Sequence, residues 1–218
     1  MQAIEGDGLV ELAREADIVL RIVRRPGDFL IPGGLLLEAW PADRVTDAMR
    51  ESVHSFFLVG SQRTGEQDIE YAFNQLVEIA LRALSPGIND PFTAINCIDR
   101  LAAALARLAQ HELPSCYRFD SEKKLRVITE VATFEGMLNT ALDPIRECAR
   151  GNTAVTIRLL EIIQHLSRRT QNENNRKALR RHAEMIERGS RDGLPEENDR
   201  KAVENYFKKV SGILKSKL

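Results

Sequence analysis

Asn89 and Asp90 stand in the stretch "LSPGINDPFTA", Leu84 to Ala94, between two long amphipathic segments. On those segments Arg63, Asp68, Glu78, Arg82 and Asn96 flank the corner or fall on polar stripes of alternate three and four spacing, so folding could converge them on a ligand. Unpaired amides at a helix start favour an anion, whereas the Asp90 carboxylate favours a cation. The ligand class suggested is therefore an ion or a small anion, held by a sensor or an enzyme.

The same stretch meets every requirement of a chain corner. Helix ends leave backbone groups unpaired, and glycine just past the end adopts the left-handed cap at least cost. Gly87 is expected in that role after Pro86 stops the first helix. Asp90 is expected to cap the second helix, with Pro91 at its first position, where a missing amide is no loss. Upstream, Thr64 and Gln67 form a capping-box pattern that starts the first helix. Capping accounts for all of this punctuation, and chemistry at the corner comes second to it.

Other candidate chemistry is incomplete. Glu51 and His54 have the Glu-x-x-His spacing of di-iron helices, but such a site wants a second pair and two more carboxylates. His111, His165 and His182 are isolated, without zinc-type spacing. Ser85 lacks a nucleophile elbow and has no neighbouring histidine. The first lysine is Lys123, which excludes Schiff-base, lipoyl, biotinyl or P-loop lysines from the first half. No metal or cofactor is expected.

These residues need elements to hold them. The first forty residues read as β structure with a short helix: "DIVLRIV" is β-branched, and Pro26-Gly27 and Pro32-Gly33-Gly34 punctuate the stretch after it. From Ala42 the period becomes helical through Val45, Met49 and Val53, ending near Gly60. The spacing predicts an αα-hairpin over about 64–112, a β-hairpin over about 115–131 around the polar "DSEKK", and helices over about 133–216. The fold class is α+β, mainly helical, with a β-rich lobe at 1–41 and a helical body at 42–218. In that body Leu138, Ala141, Leu142, Ile145 and Cys148 are expected to face inward, with Pro144 kinking or breaking their helix.

Composition narrows the setting. A net charge of -1 supplies no strong positive field, so nucleic acid is not an expected partner. The longest run free of charge, Ser52 to Gln62, falls well short of the roughly 20 apolar residues of a membrane span. The opening residues lack a secretory signal, and the three cysteines, Cys97, Cys116 and Cys148, read as buried thiols in a reducing compartment. The arginine-rich stretch from Arg168 to Arg191 is expected to be a solvated helix face. In the last helix, Val203, Tyr206, Phe207, Val210, Ile213 and Leu214 form an apolar stripe among Lys201, Lys208, Lys209, Lys215 and Lys217. That pattern packs on its own domain or lies on anionic lipid.

"GDGLVELARE", "RRPGDFLIPGGLLLEAW", "RTGEQDIEYAFNQLVEIALRALSPGINDPFTAINCIDRL" and "TFEGMLNTALDPIRECA" together resemble the C-terminal soluble part of a bacterial membrane-protein family, domain of unknown function 2254. The resemblance implies transmembrane helices ahead of this region, which makes the chain a piece of a longer protein whose own transmembrane region is its first partner. It also implies a place on the cytoplasmic side of the inner membrane. The β segment is similar to a biotinyl/lipoyl-type barrel-sandwich with "PGDFLIPG" as the strand exchange, but there is no lysine to modify. The expected function is a regulatory or interaction domain without catalysis of its own, self-associating or monomeric; the alternative is the sensor or enzyme at the 85–91 corner.

Overall fold

A computed structural model describes residues 1–216, folded as an α+β, mainly helical protein with eight α-helices and two small sheets. The chain clusters into two units, each discontinuous in sequence: Met1–Tyr71 with Leu113–Ala132, and Ala72–Glu112 with the residues from Thr133 onward.

In the first unit, β1 (Ala3–Ile4) pairs antiparallel with β4 (Phe57–Leu58). A four-stranded sheet runs in the order β3 (Leu37–Trp40), β2 (Val19–Ile22), β6 (Leu125–Thr129), β5 (Tyr117–Phe119). Its centre is a parallel ladder, with Leu20 opposite Val127. In β2, Leu20 and Ile22 are buried while Arg21 between them is exposed, which is the period-two alternation of a strand with one covered face. Those residues and Val127 pack with Leu9 and Ala13 of α1 (Gly6–Glu15) and with Phe57. The β5–β6 turn closes on Asp120, whose Oδ1 accepts from the amides of Glu122 and Lys124, each at 2.9 Å. Arg126 then ties the hairpin to the start of β2: Nε donates to Asp120 Oδ2 at 2.7 Å and Nη1 to Asp17 Oδ1 at 2.9 Å.

Three expectations change here. The hairpin assigned to the helical body belongs to the first unit, and the boundary expected at residue 41 falls inside that unit. The reason is the β2–β6 pairing, a long-range contact that leaves no local pattern. The helix expected from Val45 to about Gly60 is only α2 (Asp47–Ser52), capped by Thr46, before a 3-10 turn and β4. Strand pairing of Phe57 with Ile4 captures the end of that segment. Finally, the sheet is open, with β3 and β5 at its edges, so the likeness to a barrel-sandwich does not extend to closure.

α3 (Ile69–Ala83) begins in the first unit and continues into the second. The second unit adds α4 (Pro91–Leu108), α5 (Phe134–Cys148), α6 (Thr153–Ser167), α7 (Glu173–Gly193) and α8 (Glu197–Lys215). Helix α6 is its axis, packing against α4, α7 and α8 with Val155, Leu159, Leu160, Ile163 and Leu166 buried. An Asp99–Arg158 ion pair at 2.6 Å links α4 to α6. Thr133, Asn152 and Asn172 each accept an amide of the helix they precede, starting α5, α6 and α7. The backbones of α3 and α4 do not run closely side by side as hairpin arms; Ala94, Ile98, Leu101 and Leu105 of α4 are buried, and α4 packs on α5 and α6 instead.

Helix α5 continues through Pro144, and Cys148 at its end is exposed rather than inward-facing. Cys97 is buried, and burial pushes its thiol pKa up. The arginine-rich stretch is not simply solvated. Arg176 is buried and donates to the carbonyls of Ser167 at 3.1 Å, Ile213 at 2.8 Å and Ser216 at 3.0 Å, while Arg180 donates to Leu214 O at 2.7 Å. These guanidiniums supply the donors that the ends of α6 and α8 lack. On α8, Val203, Val210 and Leu214 are buried; Lys201 pairs with Glu197, Lys208 with Glu204, Lys209 lies over the Tyr206 ring, and Lys215 is exposed. Lys217 lies outside the described residues. Among the described residues, no helix is long and apolar enough to cross a membrane.

Candidate functional site

The corner between α3 and α4 is a dense set of local bonds. Ser85 Oγ donates to Arg82 O at 2.7 Å, Asn89 N to Ser85 O at 2.9 Å, and Asp90 N to Ala83 O at 2.8 Å. The left-handed residue is Asn89, with φ 49°, and not Gly87, whose φ is not positive. Asparagine tolerates this conformation better than other side chains do, and the reversal comes two residues after Gly87. Asp90 is the N-cap of α4 and Pro91 its first residue. One Asp90 oxygen accepts from Thr93 N at 3.1 Å and the other from the Thr93 hydroxyl, and these bonds hold its pKa below the ordinary carboxylate value. Both oxygens therefore already have donors. Asn89 and Asn96 are exposed, and Arg82 faces Glu78 at 3.7 Å.

Arg63 and Asp68 lie at the other end of α3, in the first unit. Asp68 is buried; Oδ2 accepts from Arg63 Nε at 2.7 Å and Nη2 at 2.6 Å, and Oδ1 accepts from Tyr71 N at 3.2 Å. Asp68, not Thr64, thus caps the first turn of α3. Thr64 Oγ1 is buried without a partner, and Gln67, its capping-box mate, spends its side chain on the main chain of Ile4. The box fails because α3 starts too late to use it: its first residue is Ile69. The seven ligand candidates are accordingly divided, Arg63 and Asp68 in the first unit, Glu78, Arg82, Asn89, Asp90 and Asn96 in the second.

What the first unit does assemble is a cavity of about 350 Å³ with a mainly apolar lining that includes Ile22 and Val127, to which Arg25, Gln67, Asp68, Glu70, Arg118 and Glu130 add polar groups. Arg25 pairs with Glu70 at 2.8 Å, and Asp68 with Arg63. Gly27 makes the approach possible: its φ is +96°, and a Cβ there would lie 2.4 Å from Asp68 Oδ2. Arg118 and Glu130 have no ion-pair partner among the described residues. Of these walls only Asp68 was a candidate from sequence. Arg25, Glu70, Arg118 and Glu130 come from three separated segments, and nothing local announces that they meet. Glu51 and His54 are both exposed, on α2 and the turn after it.

A family model described as "Predicted membrane protein (DUF2254)" matches residues 1–165. The uncharacterized proteins Mb1321c of Mycobacterium bovis and Rv1290c of Mycobacterium tuberculosis are each 29% identical to the chain over 211 residues, covering 93% of it. The chain spans 40% of the length of these relatives. No solved structure matches it.

Proposed function

We propose, from the premise that this chain belongs to the DUF2254 family of predicted membrane proteins, that it is an extramembranous regulatory or interaction domain of an integral membrane protein. The reading places it on the cytoplasmic side of the inner membrane, with the remainder of the longer protein as its first partner. The observation that carries it is that each unit closes a core of its own and turns charged faces outward. Leu9, Leu20 and Val127 seal the first; Ile98, Leu142 and Leu160 seal the second, with Arg158, Glu161, Lys201 and Glu197 paired outside it. That is how a water-facing domain is built, in a family otherwise described by its membrane character.

The free thiols of Cys116 and Cys148 agree with a reducing compartment. The test is fractionation of cells expressing the full-length protein, followed by protease treatment of spheroplasts and of inverted membrane vesicles. The protein is expected in the membrane fraction, with this region cleaved only in inverted vesicles. Recovery in the soluble fraction overturns the reading, and cleavage from the spheroplast side reverses the side assigned.

A further inference from the structure

The loop between β2 and β3 exposes three large apolar side chains in seven residues. Phe29 is 86% exposed, Ile31 70% and Leu35 51%. Scattered apolar exposure is ordinary on a protein surface, but a local concentration on one projection is not. From Phe29 to Leu37 the sequence contains no charged residue.

This exposure is built into the backbone. Two Pro-Gly turns succeed one another, Arg25-Pro26-Gly27-Asp28 and Ile31-Pro32-Gly33-Gly34. Asp28 N donates to Arg25 O at 3.1 Å, and Gly34 N to Ile31 O at 2.9 Å. Gly27 and Gly33, each third in its turn, have φ +96° and +78°. Proline second and a positive-φ glycine third is the type II arrangement, in which proline fixes one dihedral and glycine supplies the other without strain. On either side of the second turn the side chains divide. Leu30 and Leu36 pack against the core of the first unit while Phe29, Ile31 and Leu35 point away from it. The inward leucines anchor the loop, so the outward three are held exposed.

Charge at the neck selects the occupant. Arg24 Nε donates to Leu35 O at 3.3 Å, and no carboxylate lies within ion-pair distance of Arg24 among the described residues. Arg25 is neutralised by Glu70, and Arg21 meets Glu38 at 3.4 Å. The one acid in the loop, Asp28, is turned onto the Arg25 amide at 3.1 Å. An uncharged apolar tip above an unpaired guanidinium matches the layering of a bilayer surface, with acyl chains beneath anionic headgroups.

We propose that the loop Phe29–Leu35 docks the domain on an anionic lipid surface, its apolar tip entering the interface and Arg24 meeting the headgroups. The inference rests on the domain reading above and adds its partner: the bilayer itself.

The test is flotation of the purified 218-residue chain with vesicles of phosphatidylcholine and phosphatidylglycerol. The wild-type chain is expected to float, and the triple substitution Phe29→Ser, Ile31→Ser, Leu35→Ser to lower the partition coefficient at least about tenfold with an unchanged thermal melt. Arg24→Gln, which keeps the three apolar side chains although it removes the Nε bond to Leu35 O, should lower it about fivefold on mixed vesicles and leave weak binding to pure phosphatidylcholine unaltered. Wild-type chain that stays at the bottom overturns the proposal, as does a triple variant that floats equally. So does a wild-type dimer that the triple substitution converts to monomer without change in flotation, which would assign the tip to a second copy. Full-length protein found in membranes while the chain ignores vesicles sinks the lipid contact alone; a soluble full-length protein sinks the domain reading.

Discussion

His182 of α7 places Nε2 2.8 Å from Asn139 Oδ1 of α5, and its ring is completely buried. Because the amide oxygen only accepts, the proton sits on Nε2, and Nδ1 is left without a hydrogen-bond partner. Burial is the main reason the His182 pKa falls to about 4; Asp143, 3.8 Å from Nδ1, pulls the other way, and Arg181 and Arg146 reinforce the fall.

The folded chain thus keeps His182 neutral where the unfolded chain, near pKa 6.5, would be protonated. Stability is full above about pH 6.5, declines as pH drops from there toward 4, and levels off below, by at most roughly 3 kcal/mol. Urea midpoints measured between pH 8 and 4.5 should show this slope. His182→Gln, whose amide still donates to Asn139, should remove most of it; an unchanged slope would mean that other groups cause it.

The corner offers a sharper comparison. Gly87 has no positive φ, and a Cβ added there meets nothing within 4 Å. Gly87→Ala should therefore be neutral or stabilising by about 0.4–1 kcal/mol, through a less flexible unfolded chain. Asn89→Ala forces alanine into the left-handed region and should destabilise by about 1 kcal/mol, while Asn89→Gly is tolerated. Thermal melts of the three variants check it, and a reversed order would restore glycine as the reversing residue.

The Arg126 node governs acid sensitivity in the first unit. Bonds from Arg126 hold the Asp120 and Asp17 carboxyls below their ordinary pKa of 3.8, with Arg44 adding to Asp17. Groups with depressed pKa values stabilise above their unfolded values and lose that contribution as pH falls through the folded ones, so unfolding attributable to this node begins below about pH 4. Arg126→Ala should lower Tm more than Asp17→Ala does. Asp120 is buried with Arg126, whereas the Asp17 side chain is 61% exposed and screened by water.

Much of this was legible in the sequence, and the division follows the range of each interaction. Asp90 and Pro91 act within one turn of α4, so local chemistry announces them. Val45 to Gly60 has helical spacing, yet Phe57 answers to a strand more than fifty residues away, and the period misleads. Arg176 reads as surface charge because its acceptors, Ile213 O and Ser216 O, lie on another helix. The cavity walls were illegible for the same reason: Arg25 meets Glu70 only after the chain has come back on itself.

The parallel pairing of Leu20 with Val127 also sets an order of events during synthesis. More than a hundred residues must leave the ribosome after β2 before its neighbour β6 exists, and closing so long a loop is slow. Until then one edge of β2 is open and adhesive, so a nascent chain stalled before Leu125 is expected to aggregate or recruit a chaperone even though α1, β2 and β3 are already made.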